Sequence, residues 1–182
     1  LSINEESGSP ISRTEAFDAL ITLDALEITT ALEFEIDGEG VAFENTVLDG
    51  DLSVVTTNKA PLSLGLVSGA GGLIQNGNGR LLLPTSNSYA GFTTINAGVI
   101  RTDAGNALGQ PGMGTRVQAN GSLQVFGGTH AEPLELHGTG NTTSDGAFSK
   151  ATGANVTWTG LITIPDDARI YSQGNNLFLD GG

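Results

Sequence analysis

Apolar and polar residues alternate in short runs along most of this chain. Leu32, Phe34 and Ile36 alternate with Glu33, Glu35 and Asp37, the two-residue beat of a half-buried strand with an acidic outer face. Asp37-Gly38-Glu39-Gly40 reads as the turn that follows. Val41-Ala42-Phe43, Asp51-Leu52-Ser53-Val54-Val55 and Pro61-Leu62-Ser63-Leu64 continue the beat. It returns in Arg116-Val117-Gln118-Ala119, Ser122-Leu123-Gln124-Val125, Pro133-Leu134-Glu135-Leu136, Asn155-Val156-Thr157-Trp158, Leu161-Ile162-Thr163-Ile164, Ala168-Arg169-Ile170-Tyr171 and Asn176-Leu177-Phe178-Leu179. Strand centres recur roughly every 8–12 residues, the interval of sandwiches, barrels and β-solenoids. No stretch carries a long helical period, so an α/β fold is not expected. Thr14 to Leu26 fits either a capped helical turn over Thr14–Leu20 or a strand, and the β-branched Ile21-Thr22-Leu23 favours the strand. Residues 1–30 are therefore expected to form an acidic arm or cap, irregular or with a short helix and able to donate a strand, and residues 31–182 a β-solenoid.

Between Gly69 and Gly109 the alternation tightens. Gly69-Ala70-Gly71-Gly72-Leu73, Gly77-Asn78-Gly79-Arg80-Leu81-Leu82-Leu83, Asn87-Ser88-Tyr89-Ala90-Gly91-Phe92-Thr93-Thr94-Ile95, Gly98-Val99 and Ala107-Leu108-Gly109 each pair a short apolar beat with glycine or asparagine. That is the grammar of strands joined by tight turns. Leu81, Leu83, Thr93 and Ile95 are predicted to point inward and Thr94 outward. Tyr89 should plug a bend before Gly91, with Gly91 in a conformation closed to other residues. Asn78, Asn87, Asn96 and Asn106 belong at turns, where their amides can satisfy backbone groups or stack in ladders. The chain also restates itself: Asp51–Gly65 can be laid on Asp167–Gly181, and Phe34–Gly40 resembles Leu134–Gly140. Such restatement suits a stacked, quasi-one-dimensional fold.

The spacing of these glycines, leucines, Asn87, Tyr89 and Thr93 resembles the autotransporter-associated β-strand repeat, also called the passenger-associated transport repeat. The usual lysine of that repeat is replaced here by Gln75 or Asn76. What the resemblance implies is a right-handed parallel β-helix in a secreted or cell-surface bacterial protein. It implies no enzyme activity, because the repeat is a scaffold element. At about 20–25 residues per coil and about 4.8 Å of rise, the chain would make about eight coils and a rod of about 40 Å.

Composition narrows the picture further. The 182 residues include 27 glycines and no cysteine, so disulfides and thiolate metal sites are excluded. The formal charge of −13 opposes nucleic acid and anionic membrane as partners. The first 51 residues hold 13 of the 20 acidic residues and a single basic one, Arg13. The rod is thus expected to be electrically polar along its axis.

Candidate chemistry is sparse. The glycine clusters at Gly69–Gly72 and Gly138–Gly140 lack the helix and the Lys-Ser/Thr of a phosphate loop and read as turns. Glu33, Glu35, Asp37 and Glu39, with Asp49 and Asp51 nearby, could bind calcium, but no calcium-loop pattern accompanies them and a solvated acidic face is the simpler reading. Asp166-Asp167 is the best carboxylate pair for polysaccharide chemistry, yet it follows Pro165 in what reads as a turn. His130 and His137 have no third metal ligand at useful spacing. Ser122 lies on a strand and not in a nucleophile elbow. Trp158 shares an inward beat with Val156 and reads as core. No catalytic, cofactor-binding or metal-binding residue is therefore nominated. The expectation is a non-catalytic structural or adhesive segment of a bacterial cell-surface or extracellular protein, able to assemble end to end into a fibre. Its expected partners are further copies or neighbouring repeats, surface glycans, or host and matrix proteins. The competing readings are a polysaccharide lyase or hydrolase on the same fold, and a carbohydrate-binding module.

Overall fold

The computed structural model describes residues 14–15, 21–28, 32–36, 40–56, 61–141 and 146–181, with side chains from residue 40 onward. These residues form an all-β parallel solenoid. Each turn lays one strand on a first face, bends at a glycine- or asparagine-rich corner, lays a strand on a second face, and returns along a third side. On the first face Leu52 pairs with Leu73, Leu73 with Thr93, Thr93 with Thr115, Thr115 with Leu134 and Leu134 with Ile162, all parallel. On the second, Val41 pairs with Leu62, Leu62 with Leu81, Leu81 with Ile100, Ile100 with Leu123, Leu123 with Phe148 and Phe148 with Ile170. The long strands Thr93–Thr102 and Thr115–Val125 run through the corner and join both faces into one 14-stranded sheet. The third side is irregular in the earlier turns and becomes a three-stranded sheet of Gly128–His130, Val156–Trp158 and Leu177–Leu179.

The two-residue beat explains why the strands sit this way. Leu52, Val54, Leu62, Leu64, Leu73, Leu81, Leu83, Ile95, Val117, Leu123, Leu134 and Leu136 are all buried in one continuous core, each aliphatic contributing about 1.5–3 kcal/mol. Thr93 joins them inside, Thr94 is only half-buried and Trp158 is fully enclosed, as the alternation predicted. The turns number about six, slightly fewer than the eight expected. Later turns carry longer third sides: Leu81 meets Ile100 after 19 residues, whereas Leu134 meets Ile162 after 28.

Two expectations are revised. Asp51–Gly65 and Asp167–Gly181 are not structural copies, because Val54 lies on the first face in register with Gln75 while Ile170 lies on the second in register with Phe148. A two-residue beat recurs on every face, so a gapless overlay can match its phase without matching the turn. Gly91 does not adopt the left-handed backbone, unlike Gly98 at φ 73°. It is required for space, since a Cβ there would collide with the backbone of Gly71 and Gly72 one turn below. The acidic arm over 1–30 lies largely outside the described residues. Within it, Thr14–Glu15 pairs with Glu35 and Ile36, and Ile21–Ile28 lies parallel to Val41–Leu48.

Asn87 shows how a side chain welds turns where the third side has no strands. Its Oδ1 accepts the Val67 N–H at 2.8 Å, and its Nδ2 donates to the Ala107 carbonyl at 2.6 Å. One buried amide thus bridges the turn below and the turn above. Asn87→Ala should leave both backbone groups unpaired and cost about 2–4 kcal/mol, read as a lowered urea midpoint with an unchanged slope. Full stability in that variant would show that water replaces the amide.

Candidate functional site

On the first face the residues between the inward positions point outward and stack turn upon turn. At its lower end Asn76 Nδ2 donates to Ser53 Oγ at 2.7 Å and Asn96 Nδ2 to Asn76 Oδ1 at 2.7 Å, a ladder of the kind expected for the turn asparagines. Higher up the ladder becomes charged. Arg116 and Glu135 are register partners on adjacent strands. Arg116 Nε approaches Glu135 Oε1 at 2.8 Å, and its Nη2 donates to Oε2 at 3.3 Å. His137, two residues on and just past the end of the strand Leu134–Leu136, places Nε2 2.8 Å from Glu135 Oε1 and Nδ1 2.7 Å from Asp166 Oδ2. Four side chains from three consecutive turns form one network.

A carboxylate at each ring nitrogen favours the imidazolium form of His137. Its pKa is raised, first by the bond to Glu135 and then by that to Asp166. The Glu135 carboxyl is lowered, first by His137 and then by Arg116. The His137 contribution is complete below the ordinary imidazole range and fades as pH rises through its raised value. That of Glu135 is complete above the ordinary carboxylate range and fades as pH falls. Because the network is partly solvated, His137→Asn should cost only about 1 kcal/mol near pH 6 and nothing measurable near pH 9. Denaturant titrations at the two pH values test this, and an equal loss at both would remove the electrostatic account.

Beside this network lies an apolar corner. The residues that precede the first-face strands include Phe92, Pro133 and Leu161, whose carbonyls accept the N–H groups of Leu73, Thr115 and Leu134 respectively, each from the turn below. Phe92 is 50% exposed, Met113 44% and Leu161 60%. Phe92, Met113, Pro133, Arg116, Glu135 and Thr163 line a shallow depression of about 100 Å³ between the corner and the charged ladder.

A second cluster lies in the core. Trp158 stacks on His130 with ring centroids 5.0 Å apart and planes 9° from parallel, and meets Phe148 edge-on at 5.2 Å. Its indole N–H donates to the Glu132 carbonyl at 3.1 Å. The Glu132 side chain is itself enclosed, with His130 Nδ1 3.9 Å from its Oε1; neither Glu132 oxygen nor that nitrogen has a well-formed hydrogen bond among the described residues, and the nearby backbone N–H groups of Ala131 and Glu132 only partly offset the burial. Burial lowers the His130 pKa and pushes Glu132 up to about 7. Lys150, also enclosed, donates to the Ala151 and Gln173 carbonyls.

The other sequence candidates separate. His130 sits in the core and His137 on the surface. Among the described residues no group of three His, Asp or Glu side chains is placed to hold a metal ion. Asp51 Oδ1 accepts the Gly72 N–H at 2.7 Å, a turn role. The side chains of Glu33, Glu35, Asp37 and Glu39 lie outside those described. Asp166 and Asp167 occupy an exposed bend after Pro165. The pairing of Glu135 with His137 follows from the beat once Leu134 and Leu136 are placed inward. The arrival of Asp166 depends on a turn of irregular length and carries no local signal.

No family model matches the chain, and no solved structure matches it. Among curated proteins it is similar to the adhesin BmaC autotransporter of Brucella suis biovar 1 (strain 1330), with 32% identity over 128 residues. The match takes in 62% of this chain and 4% of that protein. The matched residues span only a small part of that protein's length.

Proposed function

We propose that this chain is a non-catalytic structural and adhesive segment of a bacterial cell-surface or secreted protein, in which a stiff solenoid displays the first-face ladder and its apolar corner to a partner. The observation that carries this reading is the outward network Arg116–Glu135–His137–Asp166, fixed across three turns beside an uncovered Phe92. Similarity to a segment of an autotransporter adhesin supports it. The autotransporter-associated repeat over Gly69–Gly109 belongs to the same reading and rests on its residues alone. A glycosidase would turn two carboxylates toward one bond across a cleft, whereas Glu135 and Asp166 both turn toward His137. The test is adhesion of beads coated with the 182-residue chain to bacterial, epithelial and matrix-coated surfaces. Binding no greater than that of albumin-coated beads on all of them would refute the reading, as would turnover of a polysaccharide that Asp166→Asn abolishes.

End-to-end stacking is a second reading, favoured by one observation. Among the described residues Ile162–Thr163, Ile170–Ser172 and Leu177–Leu179 each pair with one strand only, and Leu161, Ile164, Phe178 and Leu179 around them are exposed. A further solenoid turn, from this chain or another copy, would pair these edges and cover that apolar surface. Concentration-dependent rods in electron micrographs are the expected result, and isolated short particles at every concentration would refute it.

A further inference from the structure

We infer that the depression beside Phe92 is a saccharide subsite that takes one ring of a neutral surface glycan. The inference rests on the adhesive reading and gives its partner a chemistry. A pyranose ring has an apolar C–H face and a rim of hydroxyls, each both donor and acceptor. The site offers the complement of both. Phe92 and Met113 are about half exposed and, with Pro133, form an apolar platform. An aromatic ring left half in water retains apolar area to cover, about 25 cal/mol for each Å² removed from solvent.

The polar rim is already oriented. Arg116 is joined to Glu135 by two bonds, Nε to Oε1 at 2.8 Å and Nη2 to Oε2 at 3.3 Å. Glu135 is braced by His137, and His137 by Asp166. A planar guanidinium and carboxylate fixed side by side present a donor edge and an acceptor edge to neighbouring hydroxyls without first losing rotamer freedom. That is what weak, directional recognition of a hydroxylated ring needs.

Charge and size select the class further. The two charged side chains that line the depression, Arg116 and Glu135, offset each other, so its lining favours neither a polyanion nor a polycation. The depression, about 100 Å³ and open to solvent, falls well below the roughly 300–1,000 Å³ of sites that enclose a whole small molecule. It suits one unit of a chain lying across the face. A peptide partner is disfavoured by the backbone, because strand addition needs an unpaired edge. Here Thr93, Thr115 and Leu134 are interior rungs of the ladder, each paired on both sides.

The experiment uses the intact 182-residue chain. Saturation-transfer NMR and calorimetry are run with cellohexaose, xylohexaose and N-acetylchitohexaose as neutral probes, and with oligogalacturonate and a hyaluronan oligomer as acidic ones. Binding of at least one neutral probe is expected. Phe92→Ala and Arg116→Gln should each weaken it at least tenfold, while Glu44→Gln, on the second face, leaves it unchanged. Circular dichroism confirms that the variants fold. Equal binding by Phe92→Ala, preference for the acidic probes, or binding to none overturns the inference. Bead adhesion to periodate-oxidised and to protease-treated cells separates the two readings. Adhesion lost with periodate supports the saccharide subsite. Adhesion that survives periodate but not protease overturns the subsite, keeps the adhesive reading and points to a protein partner. No adhesion to untreated cells overturns both.

Discussion

Glu132→Gln is expected to stabilise the solenoid by about 2–3 kcal/mol near pH 8.5 and by almost nothing near pH 4. The cause is burial. Both oxygens of Glu132 are shut away from water, the backbone N–H groups of Ala131 and Glu132 offset this only in part, and burial pushes its pKa to about 7 against an ordinary 4.5. A carboxyl with a raised folded value holds its proton in the native state over a range where the unfolded chain has released it. Stability therefore falls as pH climbs from about 4.5 to about 7, and the full penalty persists above that. Two titratable groups face Glu132. His130 is 3.9 Å away, and burial keeps it neutral, so its own cost appears below its ordinary range, as pH falls. Tyr89, bonded through its hydroxyl to Thr93, is held protonated by burial and does not titrate in this window. Glutamine keeps the shape and removes the charge. Urea unfolding of both proteins at the two pH values decides the matter. A difference that does not change with pH would mean that the carboxylate is hydrated or neutralised by a partner in solution.

The fold was legible because its code is local. The alternation of Leu81 and Leu83, or of Leu134 and Leu136, places inward residues without any knowledge of what they pack against, and a face of successive parallel strands needs little more. Trp158 was legible for the same reason, through its beat with Val156. What stayed hidden depends on the length of a turn. Arg116 meets Glu135 after 19 residues, but His137 meets Asp166 after 29, around a lengthened third side. No pattern in the sequence announces that interval. Glu132 was hidden differently. It falls in the return segment, where the beat lapses, and polar residues there read as surface. The sequence offered its charge but not its enclosure, and enclosure is what moves its proton affinity. The overlay of Asp51–Gly65 on Asp167–Gly181 failed for the converse reason: a beat that recurs on every face can be matched across faces.

Trp158→Ala should cost about 3–5 kcal/mol, yet it should not unfold the whole rod. The indole is fully enclosed and stacked on His130. It meets Phe148 edge-on and bonds to the Glu132 carbonyl. Removing it deletes both aromatic contacts, orphans a carbonyl and opens a cavity in the stretch where strands line all three sides of the core among the described residues. In the three-stranded sheet Trp158 is the register partner of both His130 and Leu179, so the loss falls on the coupling between three successive turns. In a solenoid each turn depends mainly on its neighbours, and damage spreads by fraying rather than by global collapse. Hydrogen exchange should therefore show early loss of protection in Gly128–His130, Val156–Trp158 and Leu177–Leu179, while Leu52–Thr56 and Leu73–Gln75 keep theirs. Trp158→Phe, which restores the stack but not the N–H, should recover most of the difference. A single cooperative loss of protection across both regions would show that the turns fold as one unit. The first-face ladder at Arg116, Glu135 and His137 would then be coupled to the core at Trp158.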